Sequence, residues 1–466
     1  MIKLNVGKVN KFFLFLGISM FFIFTFTNNA LTAGKNPSLR VGIFLNQNEM
    51  NISGDGLFEI YNLKTNKLIT RENGGIVKMI SHVKGIKILE KGMYSGPVKV
   101  IPVGKTQIIV IVNGQKYRYR GNLEVVHDVD SNKLNIINII GIEEYLYGVL
   151  KKEISPNWPG ETLKAQAIAA RTFAIFNMNK YVEKGYNLDA STNSQAYGGV
   201  NHESPLTNNA VNTTKGKIMV YNGKAINAVY HSDSGGYTAN SEDVWGSYLP
   251  YLRGVESTFE ELVSPTHHRW DYSISERDLV KILQKKGYNL DSVIDVELVK
   301  DKKSGRVSRL GFVSNNNGID YMEAKEFRSL IGFEVIRSTI FNFETVREKS
   351  VQKTEQTVKE INKNSEQNQS VTEILEQKKD WTIRELLDLM KERKKEKEKE
   401  KEKEKIENNK QTIYLQLPLI FKISGMGNGH GVGMSQWGAY GMALQGSSYQ
   451  DILNYYYQGI DIIKKY

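Results

Sequence analysis

One carboxylate stands out by its position. In IEEYLYGVLKKE, residues 142–153, Ile142, Leu146 and Val149 step by four and three residues and mark one helical face, and the next position on that face is Glu153. Glu143 and Glu144 fall off that stripe. A glutamate that ends a buried stripe lies against apolar surface, where lost hydration favours the protonated form and raises the pKa. That is the condition for a general acid at neutral pH. The following SPNWP stops the helix, because Pro156 and Pro159 disfavour helical geometry in Ser155 and Trp158. The carboxyl group would then face a loop carrying an aromatic ring. The plainer alternative is a surface glutamate at a helix end.

A second feature is GMGNGHGVG, residues 425–433, with glycine at every other position. It fits neither the dinucleotide fingerprint nor a phosphate loop, since the spacing fails and no Gly-Lys-Ser/Thr follows. Period-two glycine suggests an extended segment with one bare face, open to close approach by a ligand or by another backbone. His430, Ser435, Gln436 and Trp437 gather at the turn into a helix QWGAYGMALQG, and such polar groups beside an aromatic face suit a sugar ring. A tight structural turn is the alternative. In YHSDSGG, the neighbours His231, Ser232 and Asp233 cannot easily form a hydrolytic triad, and no Gly-x-Ser-x-Gly elbow is present. His267–His268 and His202–Glu203 lack the spacing of a zinc helix. There is no cysteine, which excludes disulfides, thiolate metal sites and thiol nucleophiles.

Several elements must position these residues. LRVGIFL, GLFEIYNL, VKVIPV and QIIVIV, between residues 38 and 140, are short β-branched or aromatic runs separated by Gly and Asn turns and read as strands. Two helices follow, IEEYLYGVLKKE and ETLKAQAIAARTFAIFNMNKYV. The alanines at 165, 167, 169 and 170 make the second a central, closely packed helix. Arg171 within it is either a buried partner for a carboxylate or a substrate contact. Beyond about residue 185 strands and Gly-rich loops return, with a helix at SERDLVKILQKKGY. Strands, then helices, then strands argue for an α+β composite fold rather than a repeated βαβ sheet.

The chain of 466 residues carries a formal net charge of +11, which suggests an anionic partner. Lys3, Lys8 and Lys11 precede the apolar run Phe12–Phe26 and then NNALTAG, the order of an export leader over residues 1–33 that could be cleaved or kept as an anchor. Residues 347–412 form a Lys/Glu-rich tract whose charges nearly cancel to +2, and the leader carries +3, so about +6 falls on the remainder. A short helix around Thr382 to Met390 on a solvated linker, or a docking helix, is expected there. Removing the tract brings STIFNFE next to LPLIFKISG, so it reads as an insertion in a loop between strands. The resulting division is 34–140, β-rich; 141–346, core; 347–412, insertion; and 413–466, C-terminal part.

Taken together, YLYGVLKKEISPNWPGETLKAQAIAARTFA, SQAYGG, YHSDSGG, HGVGMSQWGAYGMA and YQDILNYYYQG resemble, in order and spacing, the stage II sporulation protein D family, the SpoIID/LytB domain. The resemblance runs from about residue 38 to 463. It implies an exported, wall-associated lytic transglycosylase that cleaves peptidoglycan glycan strands between MurNAc and GlcNAc, in sporulation or wall remodelling. It places the catalytic acid at Glu153, and carries over Arg171, Gln195, Tyr197, His231, Ser232, His430 and Gln436 as substrate-binding residues. Some relatives look as though they bind zinc through cysteine and histidine, and with no cysteine here that site is not carried over. No cofactor is expected, and neither is nucleic acid. The partners the resemblance implies are glycan strands, with a wall amidase or a membrane-bound wall-remodelling complex beside them. A non-catalytic glycan-binding enhancer of an amidase, or a tethered spacer, is the competing expectation.

Overall fold

The computed structural model describes residues 36–263, 268–315, 318–347, a few positions in 388–401, and 419–466. The leader, and the helix expected around Thr382, lie outside the described residues. Among the described residues no helix is long and apolar enough to cross a membrane.

The β-branched runs all lie in strands, at Ser38–Gln47, Leu57–Asn62, Val98–Pro102 and Ile108–Val112. In the last, Ile108, Val110 and Val112 are buried while Ile109 and Ile111 are half-buried, following the two-residue alternation of a strand. A seven-stranded and a six-stranded sheet share one apolar core that includes Val41, Ile52, Phe58, Val110 and Ile136. The strand Lys133–Gly141 pairs antiparallel with Ser38–Gln47, Gly141 opposite Ser38, and passes without a loop into helix α1, Ile142–Glu153. On the far edge of Ser38–Gln47, the short strand Leu188–Asp189 adds in parallel, Leu188 opposite Val41. The sheet thus delivers α1 and the 188–198 segment side by side.

Helix α2, Gly160–Phe176, is central, as its alanines require. Ala167, Ala170 and Ala174 pack into the first core, while Ala165, Ile168 and Ala169 pack into a second with Met219, Val432, Met434 and Leu453. A helix apolar on all sides must be enclosed in this way. A third core belongs to residues 269–347 and 419–426, where Leu279, Phe312, Phe327 and Phe421 pack between helices Glu276–Lys285 and Ala324–Ile331 and their strands.

The mixed α+β architecture is as expected, and so is the strand-connecting loop. Ile340–Arg347 pairs antiparallel with Leu419–Met426 along its whole length, from Ile340 opposite Met426 to Arg347 opposite Leu419. The chain leaves for the charged tract at the end of one strand and returns at the start of its neighbour. Helices Pro205–Thr213 and Ala324–Ile331 were not evident in the sequence pattern.

Candidate active site

Helix α1 ends on Glu153, Ile154 is already extended, and Pro156 disfavours a return to helical geometry at Ser155. Pro159 caps the start of α2, so the turn between the helices is only a few residues long. The opposite wall is the 188–198 segment. It docks on α1 at Gly148, whose carbonyl accepts from the Gly198 N–H at 3.0 Å. A Cβ at Gly148 would lie 2.7 Å from the Tyr197 ring and 2.9 Å from the Gly199 carbonyl, so only glycine permits this approach. The docking brings the Ala196 N–H to Glu153 Oε1 at 3.3 Å.

Gln195 is held from three sides. Its Oε1 accepts from the Tyr145 hydroxyl at 3.3 Å, and its Nε2 donates to the Ala170 carbonyl and the Tyr230 hydroxyl oxygen, each at 3.2 Å. The Tyr230 oxygen being an acceptor for Gln195, its own proton is free to turn toward Glu153. Burial raises the Glu153 pKa above the ordinary carboxylate value, against smaller opposing pulls from the Ala196 N–H, the Tyr230 hydroxyl and Lys152. A cleft of about 520 Å³ opens beside it. Its walls include Glu153, Gln195, Tyr230, Asn177, Lys180, Trp245 and His430, and among its described lining residues Glu153 is the single carboxylate.

The glycine-alternating segment is not extended. Gly427, Gly429, Gly431 and Gly433 all have positive φ, between 74° and 117°, which corrects the expectation of a flat strand. The close approach is to backbone and side chains of the protein itself: Cβ atoms at Gly429 and Gly433 would lie 2.8 Å from His231 Cβ and 2.2 Å from the Val229 carbonyl. His430 is fixed as a neutral ring, with Nδ1 accepting from the Val432 N–H at 3.0 Å and Nε2 donating to the Tyr230 carbonyl at 3.0 Å. Burial, with Arg306 and Arg328 nearby, presses its pKa down to about 4. Trp245 packs beside it, tilted by 53° with ring centroids 5.2 Å apart, and remains 44% exposed, facing the cleft.

The residues carried over by resemblance therefore divide. Glu153, Gln195 and His430 line the cleft. Arg171 does not: it is fully buried in a bidentate pair with Glu143, so the structural alternative is the correct one for it, and Glu143, though off the Ile142 stripe, is buried by the same pair. Tyr197 is also a core residue, its hydroxyl donating to Asn138 Oδ1 at 2.8 Å and its ring packed on Tyr145. His231 is buried behind His430, its Nδ1 bonded to the Val432 carbonyl at 3.1 Å and its Nε2 without a partner. Ser232 and buried Gln436 flank the parallel pairing of His231 with Ser435, where the Ser232 carbonyl accepts from the Trp437 N–H at 3.0 Å. Neither belongs to the cleft lining.

Sequence reasoning passed over Tyr230 and Trp245. Tyr230 precedes His231 in a two-residue strand, so strand alternation turns it to the other face, toward Glu153. Trp245 ends the helix Ser241–Trp245 before a left-handed Gly246, a position that exposes it. Glu260 was passed over as well. With Asp233 and His268 it forms a buried group whose ligand-type atoms lie within 4.8 Å of one another. Those oxygens already have partners: Glu260 accepts from the N–H groups of Ser234 and Gly236 and from the Ser257, Ser234 and Ser435 hydroxyls, and Asp233 accepts from Gly235 N–H and meets His268 Nδ1 at 2.9 Å. The group reads as a hydrogen-bonded staple of the SDSGG loop.

The α1–α2 section lies where a family model of stage II sporulation protein matches the chain, over residues 130–221. A stage II sporulation protein D of Bacillus amyloliquefaciens is 30% identical over 338 residues, 69% of this chain and 74% of that one. The chain belongs to the stage II sporulation protein D family. An uncharacterised protein of Brachyspira hyodysenteriae is 28% identical over 411 residues, 88% of each chain. A Bacillus subtilis protein named as an amidase enhancer is 29% identical over 341 residues, 67% of this chain but 39% of that longer one. Family relatives thus include both sporulation proteins and one named for enhancing an amidase.

Proposed function

We propose that this stage II sporulation protein D family member is an exported lytic transglycosylase acting on peptidoglycan glycan strands, with Glu153 as general acid and then base. The observation that carries the reading is Glu153 itself, a carboxyl group raised in pKa by burial at the wall of a cleft and oriented by Ala196, with Tyr230 and Gln195 behind it. Glycosidases that use water need a second carboxylate, as nucleophile or as base. A single carboxyl suffices when the sugar's own C6 hydroxyl attacks. Glu153 would give its proton to the bridging oxygen as the C1–O bond breaks. The C6 oxygen would then bond to C1 and its proton would pass to the Glu153 carboxylate, which restores the acid and leaves a 1,6-anhydro end without consuming water. Trp245 offers an exposed face for the sugar ring, and Lys180, with one of its three N–H donors given to the Asn193 carbonyl, offers donors to its hydroxyls.

The competing reading is a glycan-binding partner of a wall amidase, favoured by the likeness to the protein named as an amidase enhancer. Mass spectrometry of products from wild-type and Glu153→Gln protein separates the two. The expected outcome is anhydro-ended fragments from wild type, and retained binding with at least about a hundredfold less release from Glu153→Gln. Binding without any anhydro ends, on intact and on peptide-stripped glycan, would favour the enhancer.

A further inference from the structure

A second cavity, of about 310 Å³, adjoins the Glu153 cleft. His430 lines both; Asp243 and Val244 line the second and Trp245, the next residue, lines the first. The two hollows meet at the tilted Trp245–His430 ring pair.

Two arginines form part of the wall of this second cavity. Arg306 is 6% exposed and Arg328 is 7% exposed. Arg306 donates to the carbonyls of Ser234 and Tyr237 at 2.7 and 2.8 Å and to Thr339 Oγ1 at 3.2 Å, while its Nε–H is buried with no partner. Arg328 donates to the carbonyls of Ile336 and Arg337 at 2.8 and 2.7 Å. Among the described residues neither has a carboxylate within 4 Å, whereas the other fully buried arginine, Arg171, is matched bidentately by Glu143. Glu260 and Asp233 act on Arg306 only from a distance. The acids on the cavity wall are engaged or set apart: Asp301 accepts from Ser304, Asp243 from Asn240, and Glu323 is exposed. Burial lowers both arginines to about 10, so each remains a cation at neutral pH. Two buried cations with no carboxylate in contact are costly, and a planar carboxylate is the group whose geometry matches the unused Nη1 and Nη2 donors of Arg328, with Arg306 adding its charge beside it.

We propose that the Arg306–Arg328 cavity is a subsite for a carboxylate carried by the glycan strand whose sugar lies in the Glu153 cleft. The inference rests on the glycan reading above. A peptide-free muramic sugar bears such a group on its lactyl arm, and an attached stem peptide bears others; the shared chemistry is a carboxylate a few bonds from the ring.

The test measures binding by calorimetry with full-length protein carrying Glu153→Gln, so that ligand is not consumed. The probes are peptide-free glycan fragments with the lactyl carboxylate free or methyl-esterified, peptide-bearing fragments with their carboxylates free or esterified, and an uncharged N-acetylglucosamine oligomer. The free form of one fragment should bind about tenfold more tightly than its ester, and the fragment that shows this difference identifies the source. Arg328→Met should abolish the difference and leave binding of the uncharged oligomer unchanged, while Arg328→Lys retains part of it. Equal binding of free and esterified forms of both fragments overturns the proposal even if the arginine variants fail to fold. So does a difference that survives in folded Arg328→Met protein. Charge discrimination in the Glu153→Gln protein together with a wild type that releases no anhydro ends leaves the subsite standing and removes the lytic reading; no binding of any fragment removes both.

Discussion

Glu143 and Arg171 close a bidentate ion pair between α1 and α2, Nε to Oε1 at 3.0 Å and Nη2 to Oε2 at 2.7 Å, with Arg171 wholly excluded from solvent. Glu143 Oε1 also accepts from the Gly216 N–H and the Tyr466 hydroxyl, and Arg171 donates to the carbonyls of Val211 and Lys217. One pair therefore ties both helices to the 211–217 region and the C-terminus, and α1 carries Glu153.

Arg171→Met should accordingly cost about 3–5 kcal/mol, because it strands a buried carboxylate. Adding Glu143→Gln should recover part of that loss, since the two effects are coupled. Denaturant unfolding of the three variants measures both. A loss below about 1 kcal/mol for Arg171→Met would contradict a buried, interdependent pair.

Glu153 yields a paired prediction for stability and activity. Its folded pKa is raised, so the native state holds the proton more tightly than the unfolded chain, whose value is near 4.5. Its contribution is therefore complete below about 4.5 and is lost as pH rises through the folded value. Glu153→Gln should match wild type in melting temperature at pH 4 and exceed it at pH 8, while activity disappears. Wild-type kcat/KM should fall on the alkaline side at a pH above the usual carboxylate range. Equal melting temperatures at both pH values would refute a desolvated carboxyl group.

His430 has the opposite sign. Its folded pKa of about 4 lies below the ordinary 6.5, so its contribution is complete above 6.5 and is lost as pH falls toward 4. Protonation would place a cation beside Arg306 and Arg328, against Trp245 and the neutral His231, and would remove the acceptor that holds the Val432 N–H. Melting curves from pH 7 to 4 should show a loss in wild type that is smaller in His430→Gln. Parallel curves for the two proteins would exclude His430 as the group responsible.

The local rules of strand and helix were readable wherever one pattern dominated. Ile108–Val112 alternates cleanly, and the alanines of α2 allowed only a central position. Glu153 was legible because it continued a buried stripe. Glu143 lies off that stripe and is buried all the same, because periodicity places a side chain on a face but cannot reveal that Arg171 waits opposite it. The glycines at 427–433 signalled close approach correctly, yet their left-handed φ angles depend on His231, Val229 and Arg306, which arrive from distant segments. Tyr230, Trp245 and Glu260 were hidden for the same reason: their roles come from contacts more than twenty residues away in sequence, which no local pattern encodes.

The strand pair that brackets the charged tract makes the last prediction. Ile340–Arg347 and Leu419–Met426 are already in antiparallel register at Arg347 opposite Leu419, and Phe341, Phe421 and Ile423 are buried in the third core. That geometry can be closed by a two-residue turn, for which Asn-Gly has the right backbone preference. Replacing residues 348–418 by Asn-Gly should leave stability unchanged within ~1 kcal/mol or raise it, since closing a shorter loop costs less entropy. The Glu153 cleft is built from residues 153–245 and 430, so glycan binding and release should persist. Circular dichroism, a melting curve and the product assay on the shortened protein decide the matter. A folded variant that has lost glycan release would mean that the tract, rather than the cleft alone, engages the wall.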